Sequence, residues 1–263
     1  MTADGMTRPD LPDLPVDTRV WAAHADAWQA MGRIRVAAGG GAARLPGCSV
    51  MASGLPHPQW NNGDVTDPAL FDLEQVRAWY APRGVPWGVR VPAGTPWRYG
   101  RWLFRKRCMT LAAPAYDPPA APPPGVTITP AGPDEAELFA TVDADAFGDP
   151  VEQNLAWVRP QLGADGFRSV LARLDGEPVG VATGIRTGGP GGESVGVFGV
   201  GVLPGVRRRG IGAALTADIL TWGFGGGATL AHLNPETEEA ARLYTRLGFT
   251  EVAGLDIYVA LDG

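Results

Sequence analysis

Hydrophobic and polar positions after residue 125 follow two clear periods. Val126–Thr129 alternates as a strand does. Phe167–Leu174 and Pro178–Arg186 read as two more strands, joined by Asp175-Gly176, a pair suited to a tight hairpin turn. Ser194–Leu203 is a further strand, ended by Pro204. Helical spacing appears behind Pro133, with Leu138 and Val142 on the expected inner face, and again over Val151–Leu162. Gly210–Trp222 carries Ile211, Leu215 and Ile219 four apart. After a short strand at Thr229–Leu233, Asn234 and Pro235 read as the cap and first residue of a helix. That helix has Ala240, Leu243, Tyr244 and Leu247 on one face and Gly248 at its end. Phe249–Leu261 closes the chain as strand. The order β–α–α–β–β–β–α–β–α–β predicts an α+β domain around one mixed central sheet flanked by helices.

The first half is patterned more weakly. Residues 1–18 are rich in Asp and Pro and read as a disordered tail. A helix is expected over Trp21–Met31, a strand over Cys48–Ala52, and a turn-rich loop over His57–Asp64. Residues 68–80 read as a helix capped by Asp67, Val85–Val91 as a strand, Pro96–Phe104 as a short helix and Cys108–Ala112 as a strand. Residues 117–124 (DPPAAPPP) hold five prolines in eight positions and behave as a stiff linker. The expected division is therefore a tail to residue 18, a smaller α+β domain over 19–116, the linker, and a second domain over 125–263.

Composition narrows the function. The chain has 263 residues and a net charge of −6. The first 124 residues carry 13 bases and 10 acids, and the remainder 9 bases and 18 acids. That balance excludes a broad grip on nucleic acid and leaves room for one local anion site. Lys106 is the sole lysine among 22 basic residues. No apolar run approaches the length of a membrane span, and the first residues lack the apolar core of a signal peptide, so a cytoplasmic location is expected without membrane partners. Cys48 and Cys108 form no framework, and His24, His57 and His232 lack metal-ligand spacing, so no metal is expected.

The most specific stretch runs from Val200 to Leu215. A strand leads into the basic turn Arg207-Arg208-Arg209, then Gly210-Ile211-Gly212 opens a helix. Without side chains at the two glycines, the N–H groups of the first helical turn are open to an anion such as a pyrophosphate. Leu215 stands where a dinucleotide fold would need its third glycine, and no Gly-Lys-Ser/Thr follows for a phosphate loop of the nucleotide triphosphatases. Residues 125–263 resemble the GNAT N-acetyltransferases over their whole length. Arg207-x-x-Gly210-x-Gly212 matches that family's Arg/Gln-x-x-Gly-x-Gly/Ala signature, Val200-x-Val202-x-Pro204 its fourth strand, and Ala240-x-x-Leu243-Tyr244-x-x-Leu247-Gly248-Phe249 its second motif.

The resemblance implies an acyl-CoA-dependent N-acyltransferase that moves acetyl from acetyl-CoA, as cosubstrate, to a primary amine of a small molecule by direct attack, with a homodimer left open. It places the pantetheine arm along Val200, Gly201 and Val202. Arg207 marks the signature, and the N–H groups of Arg208, Arg209, Gly210, Ile211, Gly212 and Ala213 would hold the pyrophosphate. Thr237 stands where members often carry a CoA-touching asparagine. Tyr244 matches the residue that protonates the leaving thiolate, although its spacing also suits a core tyrosine. His232 is the expected base, or else a structural histidine, with Asp143, Asp145 and Glu152 as alternatives. A second reading, a non-catalytic acyl-CoA-binding module, is motivated by the missing family asparagine and glutamate. Gly192-Glu193-Ser194-Val195-Gly196, with Asp218 and His232 behind it, mimics a hydrolase nucleophile elbow. Ser194 opens a strand instead of a strand–helix turn, which rejects that reading. The first half looks like a degenerate acetyltransferase half, as in tandem members of the family, in which the His57–Asn62 loop would line the acceptor pocket. The cluster Arg98, Arg101, Arg105, Lys106 and Arg107 reads as a solvated helix face.

Overall fold

The computed structural model describes residues 14–119 and 121–259. Helix α1 (Val16–Arg33) is followed by strands β1 (Gly41–Leu45), β2 (Cys48–Ala52) and β3 (Asn62–Val65), helix α2 (Leu73–Tyr80), and strands β4 (Gly88–Pro92) and β5 (Arg101–Ala112). Beyond the prolines come β6 (Val126–Pro130), α3 (Ala136–Phe147), α4 (Val151–Val158), β7 (Phe167–Leu174), β8 (Glu177–Gly189), β9 (Gly192–Val202), α5 (Ile211–Gly225), β10 (Leu230–Leu233), α6 (Glu238–Arg246) and β11 (Thr250–Val259). The second half has the expected element order. Asp175 (φ 52°) and Gly176 (φ 92°) make the expected hairpin turn.

Among the described residues, eleven strands form one sheet in the order β1-β2-β3-β4-β11-β5-β10-β9-β8-β7-β6. The sheet runs through the division at the proline segment. The last strand, β11, lies antiparallel between β4 and β5 of the first half, with Ile257 opposite Arg90 on one side and Phe104 on the other. β5 in turn pairs with β10. Each half thus supplies a strand that fills a gap in the other's sheet and satisfies its backbone groups.

Alternation along the strands sorts side chains onto two faces. On β8, a Cβ at Gly180 or Gly184 would meet Ile211, Leu215 or Ile219 of α5. Val181 packs instead in the cluster with Phe139 of α3, and Ile185 in the cluster with Trp28 and Met31 of α1. Helices α1 and α3 therefore share one face, and α5 covers the other. α1 also ties the two halves: His24 Nδ1 bonds Asp64 Oδ1 at 3.1 Å, Gln29 donates to the Val50 carbonyl at 2.6 Å, and Trp21 donates to the Ala253 carbonyl at 2.8 Å.

Several expectations for local structure are corrected. Residues 1–13 of the expected tail lie outside the described residues, while Val16, Asp17 and Thr18 already belong to α1. β1 and β3 are short strands that the glycine and turn signals hid. The helix expected from Pro68 begins at Leu73, capped by Asp72, whose carboxylate accepts from Glu74 and Gln75; Asp67 holds only the turn before it. Pro96–Phe104 is not helical. It is a turn leading into β5, because residues 101–112 find a long partner in β11 that local propensity cannot foresee. Leu138 is exposed, whereas Val142 is buried. Asn234 does not cap α6; Thr237 does, accepting from Ala240 N–H at 3.1 Å. The Asn234 amide donates to the Arg107 carbonyl at 2.7 Å and to Cys108 Sγ at 3.2 Å.

Candidate active site

The glycine-rich turn has the geometry of an anion cradle. β10 accompanies β9 only from Ser194 to Val197. Beyond it, β9 bulges at Gly199 (φ 56°), its pairing with β8 slips, and on the side away from β8 the edge from Phe198 to Val202 has no strand beside it among the described residues. Arg208 and Gly210 both take left-handed conformations (φ 63° and 79°), which turn the chain sharply into α5. The first bond of that helix is donated by Ala214 to the Gly210 carbonyl at 3.0 Å, so the preceding N–H groups of Ile211, Gly212 and Ala213 are left open. A Cβ at Gly212 would stand 3.3 Å from Leu243 Cδ1, with Val202 and Val200 at 3.8 and 3.9 Å. A side chain at residue 212 would therefore press on α6 from the opening turn of α5. Arg208 and Arg209 are exposed at its rim. Arg207 is committed elsewhere: it donates to the Val202 carbonyl at 2.9 Å and to the Ala146 carbonyl at 2.7 Å, stapling the turn to the end of α3. Thr237 is occupied as the cap of α6.

Tyr244 and His232 lie on opposite faces of the sheet. Ala231 and Leu233 pack with Tyr244 in the core beneath α5, so alternation turns His232 toward α1. Tyr244 is nearly buried, and its hydroxyl has no hydrogen-bond partner among the described residues. Burial, with Glu236 adding to it, pushes its pKa up to about 12. His232 is 1% exposed, covered by α1, with its ring centroid 6.2 Å from His24 and 6.0 Å from Phe198. Its Nε2 has no hydrogen-bond partner among the described residues, and burial holds its pKa down to about 3. It does not line the cleft, because both neighbours of β10 pair across it and α1 closes the face above it.

Asp143 is one of the three acids given as alternatives to His232. It projects from α3, and a Cβ at Gly199 would lie 4.0 Å from its Oδ1, so the carboxyl faces the bulge of β9. Asn154 donates to its Oδ2 at 3.1 Å. Burial, aided by the nearby charge of Asp149, raises its pKa from 3.8 to about 7. Asp145 and Glu152 are exposed.

Asp143 lines a cavity of ≈ 200 Å³ on the face shared by α1 and α3. Both halves build it. Trp28, Trp157 and Phe198 are aromatic walls, Trp60 stacks on Trp157 at 4.5 Å, and Arg90, Lys106 and Glu236 add charge. Gln59, Trp60 and Asn62 bring the His57–Asn62 loop to the cavity. Arg90 sits 4.1 Å over Trp28 and makes a two-pronged bond to Asp64, at 2.8 Å for each prong, which also holds His24. Asp64 is kept ionised, with its pKa lowered to about 2, because Arg90 and His24 outweigh the cost of burial. The arginine cluster of the first half dissolves on the strand. Arg105 pairs with Asp256 at 2.9 Å and Arg107 with Glu238 and Glu251, on the face opposite Lys106. Sequence reasoning missed Trp28, Trp157, Arg90 and Lys106 as site residues. Only the uniqueness of Lys106 carried a signal.

A strand that parts from its neighbour, a glycine turn opening a helix and a buried carboxyl facing the gap meet in this region. Residues 136–249 match the model of the acetyltransferase (GNAT) family, and this part of the chain is a GNAT domain. The mycothiol acetyltransferase of Frankia alni is 36% identical over 174 residues, which cover 57% of this chain and 50% of that protein. The chain thus matches about half the length of this curated relative. A GCN5-related N-acetyltransferase from Kribbella flavida shares the fold over 91% of this chain and 95% of its own, with a TM-score of 0.66 and 23% identity. One from Sphaerobacter thermophilus does so over 95% and 93%, with a TM-score of 0.53 and 19% identity. The fold of both halves is therefore shared with known structures. No helix among the described residues is long and apolar enough to cross a membrane.

Proposed function

We propose that this protein is an acetyl-CoA-dependent N-acetyltransferase acting on a primary amine of a small molecule. The observation that carries this reading is Asp143, a carboxyl with a pKa of about 7 facing the bulge of β9, across from the open turn of α5. Acetyl-CoA fits the residues present: the N–H groups of Ile211, Gly212 and Ala213 suit its pyrophosphate, and the unpaired edge of Phe198–Val202 suits its amide-bearing arm. Bound there, it supplies an activated thioester carbonyl. Asp143 takes one proton from the acceptor ammonium, which frees the amine to form the new C–N bond; as the C–S bond breaks, the nitrogen sheds its second proton to solvent. Open N–H groups on the β9 edge would stabilise the oxygen that gains charge. Tyr244, which keeps its proton far above neutral pH, gives it to the leaving thiolate and regains one from solvent. The base role thus passes from His232 to Asp143. Residues 19–116 act in this reading as a degenerate half that has kept its sheet and supplies walls of the acceptor cavity.

Gly212→Glu tests the cosubstrate site, because it puts bulk against Leu243 and a negative charge beside the open N–H groups. Calorimetry should show acetyl-CoA affinity reduced at least about 100-fold. Unchanged affinity would displace the site. Binding of acetyl-CoA without amide formation from any amine would favour the non-catalytic module.

A further inference from the structure

We propose that the acceptor is an amine carrying a carboxylate on a flat apolar body, and that Lys106 reads that carboxylate. The proposal rests on the acetyltransferase reading and names the substrate class of that same cavity. Lys106 lies on β5 opposite Leu255, with its side chain on the α1 face and in the cavity lining. It has no hydrogen-bond partner and no ion pair among the described residues. Arg90, Arg105 and Arg107 nearby are each bound to a carboxylate. Asp64, whose field reaches Lys106, is already held by Arg90 and His24. Glu236, the other carboxylate whose field reaches it, is exposed and within no ion-pair distance.

A partly buried ammonium without a counter-ion is costly. Burial and the charge of Arg90 push its pKa down, in keeping with that cost. An incoming carboxylate would relieve it. The choice of residue supports the assignment, because the chain uses arginine at its other 21 basic positions and lysine only here. A compact ammonium with three rotatable donors suits a single anionic group that enters and leaves, whereas the fork of an arginine would be drawn into a lasting pair with a protein carboxylate. Asp143 and Glu236 supply the opposite charge for the acceptor's ammonium. Trp28, Trp60 and Trp157 supply flat walls for its body.

The test compares matched acceptors on the intact protein at saturating acetyl-CoA: phenylalanine against 2-phenylethylamine, and 4-aminobutyrate against butylamine. The expected kcat/KM favours the carboxylate member of at least one pair by about 10–100-fold, the worth of one charged hydrogen bond. In Lys106→Met that ratio should fall toward one, and Lys106→Arg should restore part of it. Calorimetry with N-acetylphenylalanine in the presence of CoA gives a readout without turnover, and the parent should bind it at least about tenfold more tightly than Lys106→Met. Acetylation of the plain amines with no carboxylate preference in the parent overturns this inference and leaves the acetyltransferase reading standing. Equal binding of N-acetylphenylalanine by parent and Lys106→Met also overturns it. Failure of the acetyltransferase reading looks different: no amide product forms from any of the four amines.

Discussion

Asp143→Asn should remove most activity and at the same time stabilise the fold. The carboxyl is 8% exposed and sits against α4 and the bulge of β9, and its pKa rises from 3.8 to about 7. The folded chain therefore holds a proton that the unfolded chain has lost between those two values. Its contribution to stability declines as pH rises from about 4 to about 7 and levels off above that. The full shift corresponds to roughly 4 kcal/mol, and relaxation around the charge reduces the recoverable part to about 2–4 kcal/mol. The asparagine amide is close in shape and can still accept from Asn154. For a chain of this size the gain amounts to roughly 5–10 °C in Tm at pH 8. It should about halve at pH 5.5, where the native carboxyl of the parent is mostly protonated. Scanning calorimetry at the two pH values measures this. In parallel, kcat/KM of the parent should rise through about pH 7, and Asp143→Asn should lose about 10²–10⁴-fold with that limb abolished. A variant less stable than the parent at pH 8, or one that keeps the same pH–rate limb, would refute the assignment of a buried, half-titrated base.

The other expectations follow from individual side chains. Tyr244→Phe keeps the ring against Phe249 and removes a hydroxyl with no partner among the described residues, so melting should barely change while kcat drops at least about 100-fold where chemistry limits turnover. A loss within threefold would return Tyr244 to packing alone. His232→Gln should leave the acidic limb of the pH–rate profile in place, since the ring is sealed under α1; loss of the limb would restore it as the base. His24 and His232 both have pKa values depressed by burial, to about 4 and about 3, so stability is full above about 6.5 and is lost as pH falls toward those values. Acid titration by circular dichroism should show it. Asp64→Asn strips a buried arginine of its partner and should cost about 3–5 kcal/mol in urea unfolding, because Arg90 is then left as an uncompensated charge.

Much of the second half was legible in the sequence because its signals are local. The Asp175-Gly176 turn, the Pro204 stop, the glycines at 210 and 212 and the stripe of α6 each act within a few residues of themselves, and they set the order of elements and the turn that opens α5. The cavity was not legible, because it is made by pairings across long stretches of chain. No local signal says that residues 101–112 will pair with 250–259, and without that partner residues 101–104 read as the end of a short helix, with only Cys108–Ala112 legible as strand. No local signal says which face of β10 is roofed by α1, so His232 looked accessible when alternation and the helix above it bury it. Asp143 looked like any acid on a helix until α3 packed on β9 and removed its water. The sequence determined the elements and the glycine turn that opens α5 through steric and hydrogen-bonding rules that act locally. The tertiary structure alone decided which ionisable groups are buried, since desolvation and charge pairing depend on neighbours far away in the chain.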